Sequence, residues 1–336
     1  MSVPAAMLEQ AFDLPRQLVA GIAAGDAAGM ADRRPAAVAL CGLGGSAAGG
    51  RLLTAMFAKC LAVPVVVVDG TTLPAWVGEE ALVVCVSYSG RTAETLALWD
   101  AAGARGALRA AVTAGGELAE RAAASGAPCA LVEAGFQPRG ALGLLLGALA
   151  GLLDRAGVIP GAATELAAAV PGLERAVAAE RAALEGSREE AARLVGRAVV
   201  LYGSGARAAA AARLKNQINE NAKAAAWAGA MPEVAHNEIL GWIGVARRAL
   251  PVVAVFLRDP DEPAAERSLH DRLQALVAGD APDLLEWRGA GATELERTLA
   301  LLVHGDAVSC LVAEADGVDA LDIARLEALK APAASG

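Results

Sequence analysis

Ala37-Val38-Ala39-Leu40-Cys41-Gly42-Leu43-Gly44-Gly45-Ser46 runs from an unbroken apolar stretch straight into glycines, and Ala198-Val199-Val200-Leu201-Tyr202-Gly203-Ser204-Gly205 repeats the design in the second half of the chain. A short apolar run without polar alternation reads as a strand buried on both faces, the habit of parallel sheets covered by helices. Pro64–Asp69 and Leu82–Ser87 are runs of the same kind, and Leu108–Thr113 and Ala130–Glu133 supply a fourth and fifth strand. Alanine-rich helical stretches lie between them. Pro251–Phe256 is a further buried strand in the second half. The pattern predicts an α/β protein of two αβα sandwich units with parallel sheets. The expected organisation is an N-terminal helical segment (1–35), a first unit (36–154), a helical connector rich in Ala, Glu, Arg and Leu (155–195), a second unit (196–330) and a disordered tail (331–336).

The 336 residues give room for two ordinary domains. Hydrophobic residues make up 55% but aromatics only 3%, so the cores should be aliphatic. A net charge of −9 and a pI near 5.0 argue against nucleic acid or an anionic membrane surface as partner. The longest apolar run, Gly140–Leu153, is too short to span a bilayer, and no segment is expected to do so. Glu9 and Asp13 fall where a signal peptide would be apolar. The five cysteines form no CxxC pair, and Cys41 and Cys85 sit inside strand-like runs, which suits small buried residues in a reducing cytoplasm. His236, His270 and His304 lack ligand spacing, so no metal site is expected; the last two read as structural.

Three segments carry chemistry. Gly42–Gly50 follows a strand and opens a helix, which presents free backbone N–H groups and a positive helix end to an anion. Its Gly42-x-Gly44-x-x-Ala47 spacing also fits a dinucleotide fingerprint, with Asp69 ending the next strand as the ribose-binding acid. Ser87-Tyr88-Ser89-Gly90-Arg91-Thr92 sits at a second strand–helix junction, where three hydroxyls around a glycine can surround a phosphate with neutral donors. A nicotinamide fold has no need of this second cradle. Third, Asn216-Gln217-Ile218-Asn219-Glu220-Asn221-Ala222-Lys223 crowds polar residues into a helical context, with positions 216, 220 and 223 on one face, and His236 follows sixteen residues after Glu220. A carboxylate with a histidine offers proton transfer.

The Gly44-Gly45-Ser46 loop, the Ser-x-Ser-Gly-x-Thr loop and the repeated αβα units resemble the sugar isomerase (SIS) phosphosugar-binding fold. Asn219-Glu220-Asn221-Ala222-Lys223 together with His236-Asn237-Glu238 resembles the bifunctional phosphoglucose/phosphomannose isomerases of the phosphoglucose isomerase superfamily. Gln137-Pro138-Arg139 is similar to that family's arginine segment, and Val318-Asp319 with Lys330 to its C-terminal lysine helix. The resemblance spans roughly residues 38–330. It implies an aldose–ketose isomerase that interconverts glucose 6-phosphate or mannose 6-phosphate with fructose 6-phosphate through a cis-enediol, without metal or other cofactor. Glu220 would be the base, Arg139 the enediolate-stabilising cation, and His236 and Lys330 would assist ring opening. Gly45, Ser46, Ser87, Ser89 and Thr92 would hold the 6-phosphate. The family resemblance further implies a homodimer in which His236 enters from the partner subunit.

Rival readings are a non-catalytic phosphosugar sensor on the same fold, an NAD-dependent oxidoreductase using Gly42–Ala47 and Asp69, and an isomerase confined to the glucose epimer. Three positions depart from the family. Arg91 stands where a small polar residue is usual, Ala320-Leu321-Asp322 replaces a proline-rich segment, and His304 stands where the family is apolar. Gly203-Ser204-Gly205 has no following hydroxyl cradle, so the second unit is expected to hold no phosphate of its own.

Overall fold

A computed structural model describes residues 3–30 and 34–330, with the backbone alone at residues 3–5 and 330. β1 (Ala37–Cys41), β2 (Val65–Val68), β3 (Ala81–Val86), β4 (Leu108–Thr113) and β5 (Cys129–Leu131) form one sheet in the order β2-β1-β3-β4-β5. β6 (Ala198–Gly203), β7 (Ala226–Ala230), β8 (Val252–Arg258) and β9 (Asp283–Arg288) form a second, in the order β7-β6-β8-β9. Every pairing in both sheets is parallel. The second sheet therefore repeats the first four positions of the other: β7, β6, β8 and β9 stand as β2, β1, β3 and β4 do. All of β3 is buried, as a strand covered on both faces must be. β7 and β9 escape the sequence pattern because one is alanine- and glycine-rich and the other carries charge at both ends.

The helices are α1 (Val3–Phe12), α2 (Leu14–Asp26), α3 (Gly45–Met56), α4 (Ala93–Ala104), α5 (Gly116–Ala124), α6 (Leu142–Arg155), α7 (Ala162–Ala182), α8 (Leu184–Leu194), α9 (Ala206–Asn221), α10 (Gly241–Arg248), α11 (Ala264–Asp280), α12 (Glu294–Ala315) and α13 (Ala324–Lys330). α6 is buried from Leu142 to Leu153. It meets α2 backbone to backbone: a Cβ added at Gly21 would lie 2.4 Å from the Leu144 carbonyl oxygen, and one at Gly147 would lie 2.5 Å from that of Leu18. The N-terminal helices are thus clamped to the first sheet's central helix. Residues 331–336, expected to be a disordered tail, lie outside the described residues.

One sequence expectation needs correcting. α12, at 22 residues, is long and apolar enough by composition to cross a membrane. It is instead a core helix, with 83% of its most apolar window buried, packed against α7, α8 and α9. Apolar residues on most of its faces suit a buried central position, and its few buried charges, such as Asp306 and Arg297, are paired.

Candidate active site

The order β2-β1-β3 reverses direction between β1 and β3, and the crevice at the carboxyl ends of such strands is where open α/β sheets take ligands. Both phosphate-type loops fall there. After β1, Gly44 takes φ 54°, a left-handed conformation that glycine adopts at little cost, and α3 begins at Gly45. After β3, Ser87 Oγ and Thr92 Oγ1 lie 2.9 Å apart, and Ser89 Oγ accepts from the Arg91 N–H at 3.3 Å. Ser46 and Thr92 are half-buried, Ser87 is buried and Ser89 is exposed. The five residues expected to hold phosphate are therefore brought to one edge of one sheet. Asp69, the candidate ribose ligand of the dinucleotide reading, is paired with Arg51 of α3.

Arg139 lies in a single 3-10 turn, Pro138–Gly140, directly before α6. A Cβ at Gly45 would sit 3.3 Å from the Pro138 carbonyl oxygen and 3.5 Å from Arg139 Cα, so the first phosphate loop touches the arginine segment. Several bonds fix that segment. Tyr88 Oη donates to the Glu133 carbonyl at 3.0 Å and accepts from the Phe136 N–H at 3.0 Å. Gln10 Oε1 accepts from the Gln137 N–H at 3.1 Å, and Gln17 Nε2 donates to the Gly140 carbonyl at 2.9 Å. Arg213 Nη2 donates to Arg139's own carbonyl at 2.8 Å while Nη1 bonds Asp306 at 3.0 Å. Burial pushes the Asp306 carboxyl up, and Arg213 opposes that shift.

The Arg139 side chain is 4% exposed. Nε donates to Asn221 Oδ1 at 2.7 Å, Nη2 donates to the Ala320 carbonyl at 2.5 Å, and Nη1 stands 3.8 Å from Glu220 Oε2. Burial pulls the guanidinium below the ordinary arginine range, and the Glu220 carboxylate resists. Glu220 is the last residue but one of α9, with its side chain 30% exposed. It opens on a cavity of about 530 Å³ shared with Asn219, Lys223, Asp322, Ile323 and Leu326. Glu220 and Arg139, 81 residues apart in sequence, are thus neighbours, and Gly45 joins them to the phosphate loop.

The structure revises the shared helical face. α9 ends at Asn221, and Lys223 lies past its end with φ 56°, so it is not on the helix beside Asn216 and Glu220. Its Nζ donates to the Glu220 carbonyl at 2.6 Å and to the Ala320 carbonyl at 3.3 Å. Asn219 caps the same turn through Nδ2 to the Ala224 carbonyl at 2.8 Å. Asn221 is fully buried and also donates to Ser309 Oγ at 3.0 Å. Sequence reasoning gave no role to Asn221, Arg213, Asp306, Gln10 or Gln17. Arg213 and Asp306 carried a signal, a charge inside a largely apolar stretch, whereas Gln10, Gln17 and Asn221 sit beside other polar residues and carried none.

His236 ends a short 3-10 turn, Glu233–His236, and is exposed. Among the described residues no hydrogen bond or ion pair joins it to Glu220 or Arg139 within the protomer. Lys330 ends α13, which borders the cavity through Leu326, but its side chain lies outside the described part. His270 bonds Glu262 through Nδ1 at 3.2 Å and is buried. Glu262, Glu266 and His270 cluster closely enough to hold a cation, but Arg258 and Arg207 already pair with the two carboxylates.

Two parallel sheets of one topology, with hydroxyl-rich anion loops on the first and a carboxylate–guanidinium pair at the end of a helix from the second, define an SIS-type α/β protein. Residues 185–332 match the family described as bacterial phospho-glucose isomerase C-terminal SIS domain. A bifunctional phosphoglucose/phosphomannose isomerase of Aquifex aeolicus is 33% identical over 87% of this chain and 89% of its own length. One from Caldicellulosiruptor bescii is 31% identical over 87% and 88%. The chain belongs to the family of bifunctional phosphoglucose/phosphomannose isomerases. The fold is shared with the C-terminal domain of glucosamine-fructose-6-phosphate aminotransferase from Francisella tularensis, at a TM-score of 0.73 and 14% identity, covering 94% of this chain and 97% of that one.

Proposed function

We propose that this protein is an aldose–ketose isomerase that interconverts glucose 6-phosphate and mannose 6-phosphate with fructose 6-phosphate. One observation carries the reading: Glu220 faces a cavity with Arg139 Nη1 3.8 Å from its carboxylate. A carboxylate can take the proton alpha to the open-chain carbonyl, and a guanidinium beside it stabilises the enediolate charge that results. Returning the proton to the neighbouring carbon completes the isomerisation with no net redox change. Gly45, Ser46, Ser87, Ser89 and Thr92 hold the phosphate, and they belong to the first unit (36–154), whereas the base belongs to the second (196–330).

In this reading the enzyme is a cytoplasmic homodimer, and His236 reaches the site of the partner copy to help open the sugar ring, as does Lys330. Support comes from the surface around His236, where Trp227 on the edge strand β7, Leu240 and Ile243 are 57%, 67% and 48% exposed. Such an apolar cluster invites burial. Free thiols at all five cysteines suit a reducing compartment.

The deciding assay measures conversion of both aldose phosphates to fructose 6-phosphate, with EDTA, for wild type and Glu220→Gln. Turnover of both sugars is expected from wild type, with a loss of about 10²-fold or more in the variant, the scale of a missing general base. No turnover, with phosphosugar still raising the melting temperature, would leave a sensor. Mixing Glu220→Gln with His236→Ala subunits should restore activity if the site is shared between protomers; no recovery would count against sharing.

A further inference from the structure

Arg139 is largely committed to the protein. Its Nε is held by Asn221 and its Nη2 by the Ala320 carbonyl, which leaves Nη1 to face Glu220. Two cations line the cavity, Lys223 and Arg325, and of these Lys223 is the one bonded to the Glu220 carbonyl. Its ammonium has three donors, two of which reach the carbonyls of Glu220 and Ala320, and its side chain lines the cavity beside Glu220.

Its backbone supplies an independent observation. Lys223 and Ala249 are the non-glycine residues with positive φ among those described. A lysine held left-handed, where glycine or asparagine would sit more easily, is a strained position of the kind that collects at functional sites. Capping the end of α9 does not by itself require lysine there, since glycine is the usual residue just past a helix end.

We propose that Lys223 is a further catalytic residue, an ammonium that touches the substrate's O1 and O2 and shuttles a proton between them while Glu220 moves the carbon-bound proton. The proposal rests on the isomerase reading above. In the aldose-to-ketose direction, Glu220 takes the proton from C2, the C–H pair becomes the C1=C2 double bond, and the carbonyl π pair moves onto O1. Lys223 gives O1 a proton, which makes a neutral cis-enediol. The amine then takes the proton from O2 as C2=O2 forms, and the C1=C2 pair collects Glu220's proton at C1. Atoms and charge balance, and both groups end as they began. Burial, with help from nearby Arg139, lowers the lysine from its ordinary range, which favours a group that must release and recover a proton.

Three variants separate the shuttle from a helix cap or a static charge. The readouts are kcat and KM, the melting temperature, and affinity for a five-carbon phosphorylated aldonate, whose carboxylate imitates the enediolate. Lys223→Gly is expected to melt no lower than wild type, because glycine relieves the left-handed strain, yet to lose about 10²-fold or more in kcat. Lys223→Met is expected to lose kcat and aldonate affinity together. Lys223→Arg is expected to keep aldonate affinity but stay slow, because a guanidinium holds charge and does not give up its proton. Near wild-type kcat in Lys223→Met or Lys223→Gly would overturn the catalytic role, and near wild-type kcat in Lys223→Arg would overturn the shuttle. A wild type with neither turnover nor aldonate binding would sink the isomerase reading itself, a result distinct from an active wild type with indifferent variants.

Discussion

Replacing Asn221 with leucine tests whether the buried amide, rather than packing, holds Arg139 in place. The two side chains are similar in volume, so the change removes hydrogen bonds without opening a large hole. Two strong bonds are lost, Arg139 Nε to Asn221 Oδ1 at 2.7 Å and Asn221 Nδ2 to Ser309 Oγ at 3.0 Å, together with a weak third from Asn221 Nδ2 to Cys310 Sγ at 3.8 Å. The first involves a charged donor on a side chain only 4% exposed, and such bonds contribute about 1.5–3 kcal/mol. The second is neutral and contributes about 1 kcal/mol. Ser309 Oγ keeps its bond to the Asp306 carbonyl, so it loses one partner and not all. Some of the loss is offset by burying apolar surface, which leaves an expected destabilisation of about 2–4 kcal/mol. Urea unfolding with an unchanged slope and a lowered midpoint is the assay. Because Nη1 then loses its fixed position beside Glu220, kcat should fall by about 10²-fold, the usual consequence of displacing a catalytic group by an ångström. A double-mutant cycle with Arg139→Met isolates the pair. A coupling below about 0.5 kcal/mol would refute the reasoning, since contacting partners in one network couple by about 0.5–3 kcal/mol.

Two further outcomes follow from other parts of the fold. His304 lies with Nδ1 3.0 Å from Glu180 and Nε2 3.4 Å from Glu190, its ring edge-on to Trp287. Burial alone would pull the imidazole down, but the two carboxylates outweigh it and push it up to about 9. Its folded value lies above the unfolded one, so the stabilisation is complete below the ordinary histidine range and is lost as pH rises through about 9. The stability difference between wild type and His304→Gln, about 3 kcal/mol at most, should therefore shrink toward zero in alkaline buffer; a difference independent of pH would contradict the pairing. In the phosphate loops, a Cβ at Gly90 would lie 1.8 Å from the Gly115 carbonyl oxygen at φ 65°, whereas one at Gly44, φ 54°, meets nothing within 4 Å. Gly90→Ala should lower the melting temperature sharply and raise KM, and Gly44→Ala should cost only the backbone strain of its positive φ, about 1–3 kcal/mol. Equal effects at the two positions would rule out the close approach as the cause.

The parallel sheets were legible because burial on both faces leaves no polar alternation, and Val38–Cys41 or Leu82–Val86 can be little else. β7 and β9 were not, because Ala226–Ala230 surrounds its single bulky residue, Trp227, with alanine and glycine, and Asp283–Arg288 is half solvated. The loops could be read residue by residue, since glycine and hydroxyl chemistry is local. The grip on Arg139 could not. It comes from Gln10 and Gln17 at one end of the chain and from Asn221, Asp306 and Ala320 far along it, and only tertiary packing puts them side by side. Asn216, Glu220 and Lys223 share a helical face only if the helix continues through them. The positive φ at Lys223 ends that continuity, and no propensity scale assigns such a conformation to lysine in advance.

The two units carry the same strand–glycine–helix junction, and the contrast between them explains why one site serves both. Gly44 has φ 54° and ψ −124°, and Gly205 has φ 51° and ψ −125°. Either junction could take an anion on its free amides. At the second, a carboxylate of the chain already engages the junction's hydroxyl and arginine. Ser204 Oγ bonds the Glu266 carboxylate, and Arg207, 4% exposed, pairs with that carboxylate and donates to Ser204 Oγ at 3.0 Å. The acids around it are answered from within as well, Glu262 by Arg258 and Asp259 by Arg297. Among the described residues no carboxylate bonds Ser46 at the Gly44 junction, and the Pro138–Arg139 segment lies against Gly45 there. Distance then decides the division of labour. α9 starts at the filled junction and runs 16 residues, about 24 Å, before it delivers Glu220 to Arg139. A phosphate at Gly205 would sit a whole helix away from Glu220, whereas Gly45 touches the segment that carries Arg139. In the isomerase reading proposed above, the loops at Gly45 are therefore better placed than the junction at Gly205 for the phosphate of a sugar whose carbonyl end lies at Glu220.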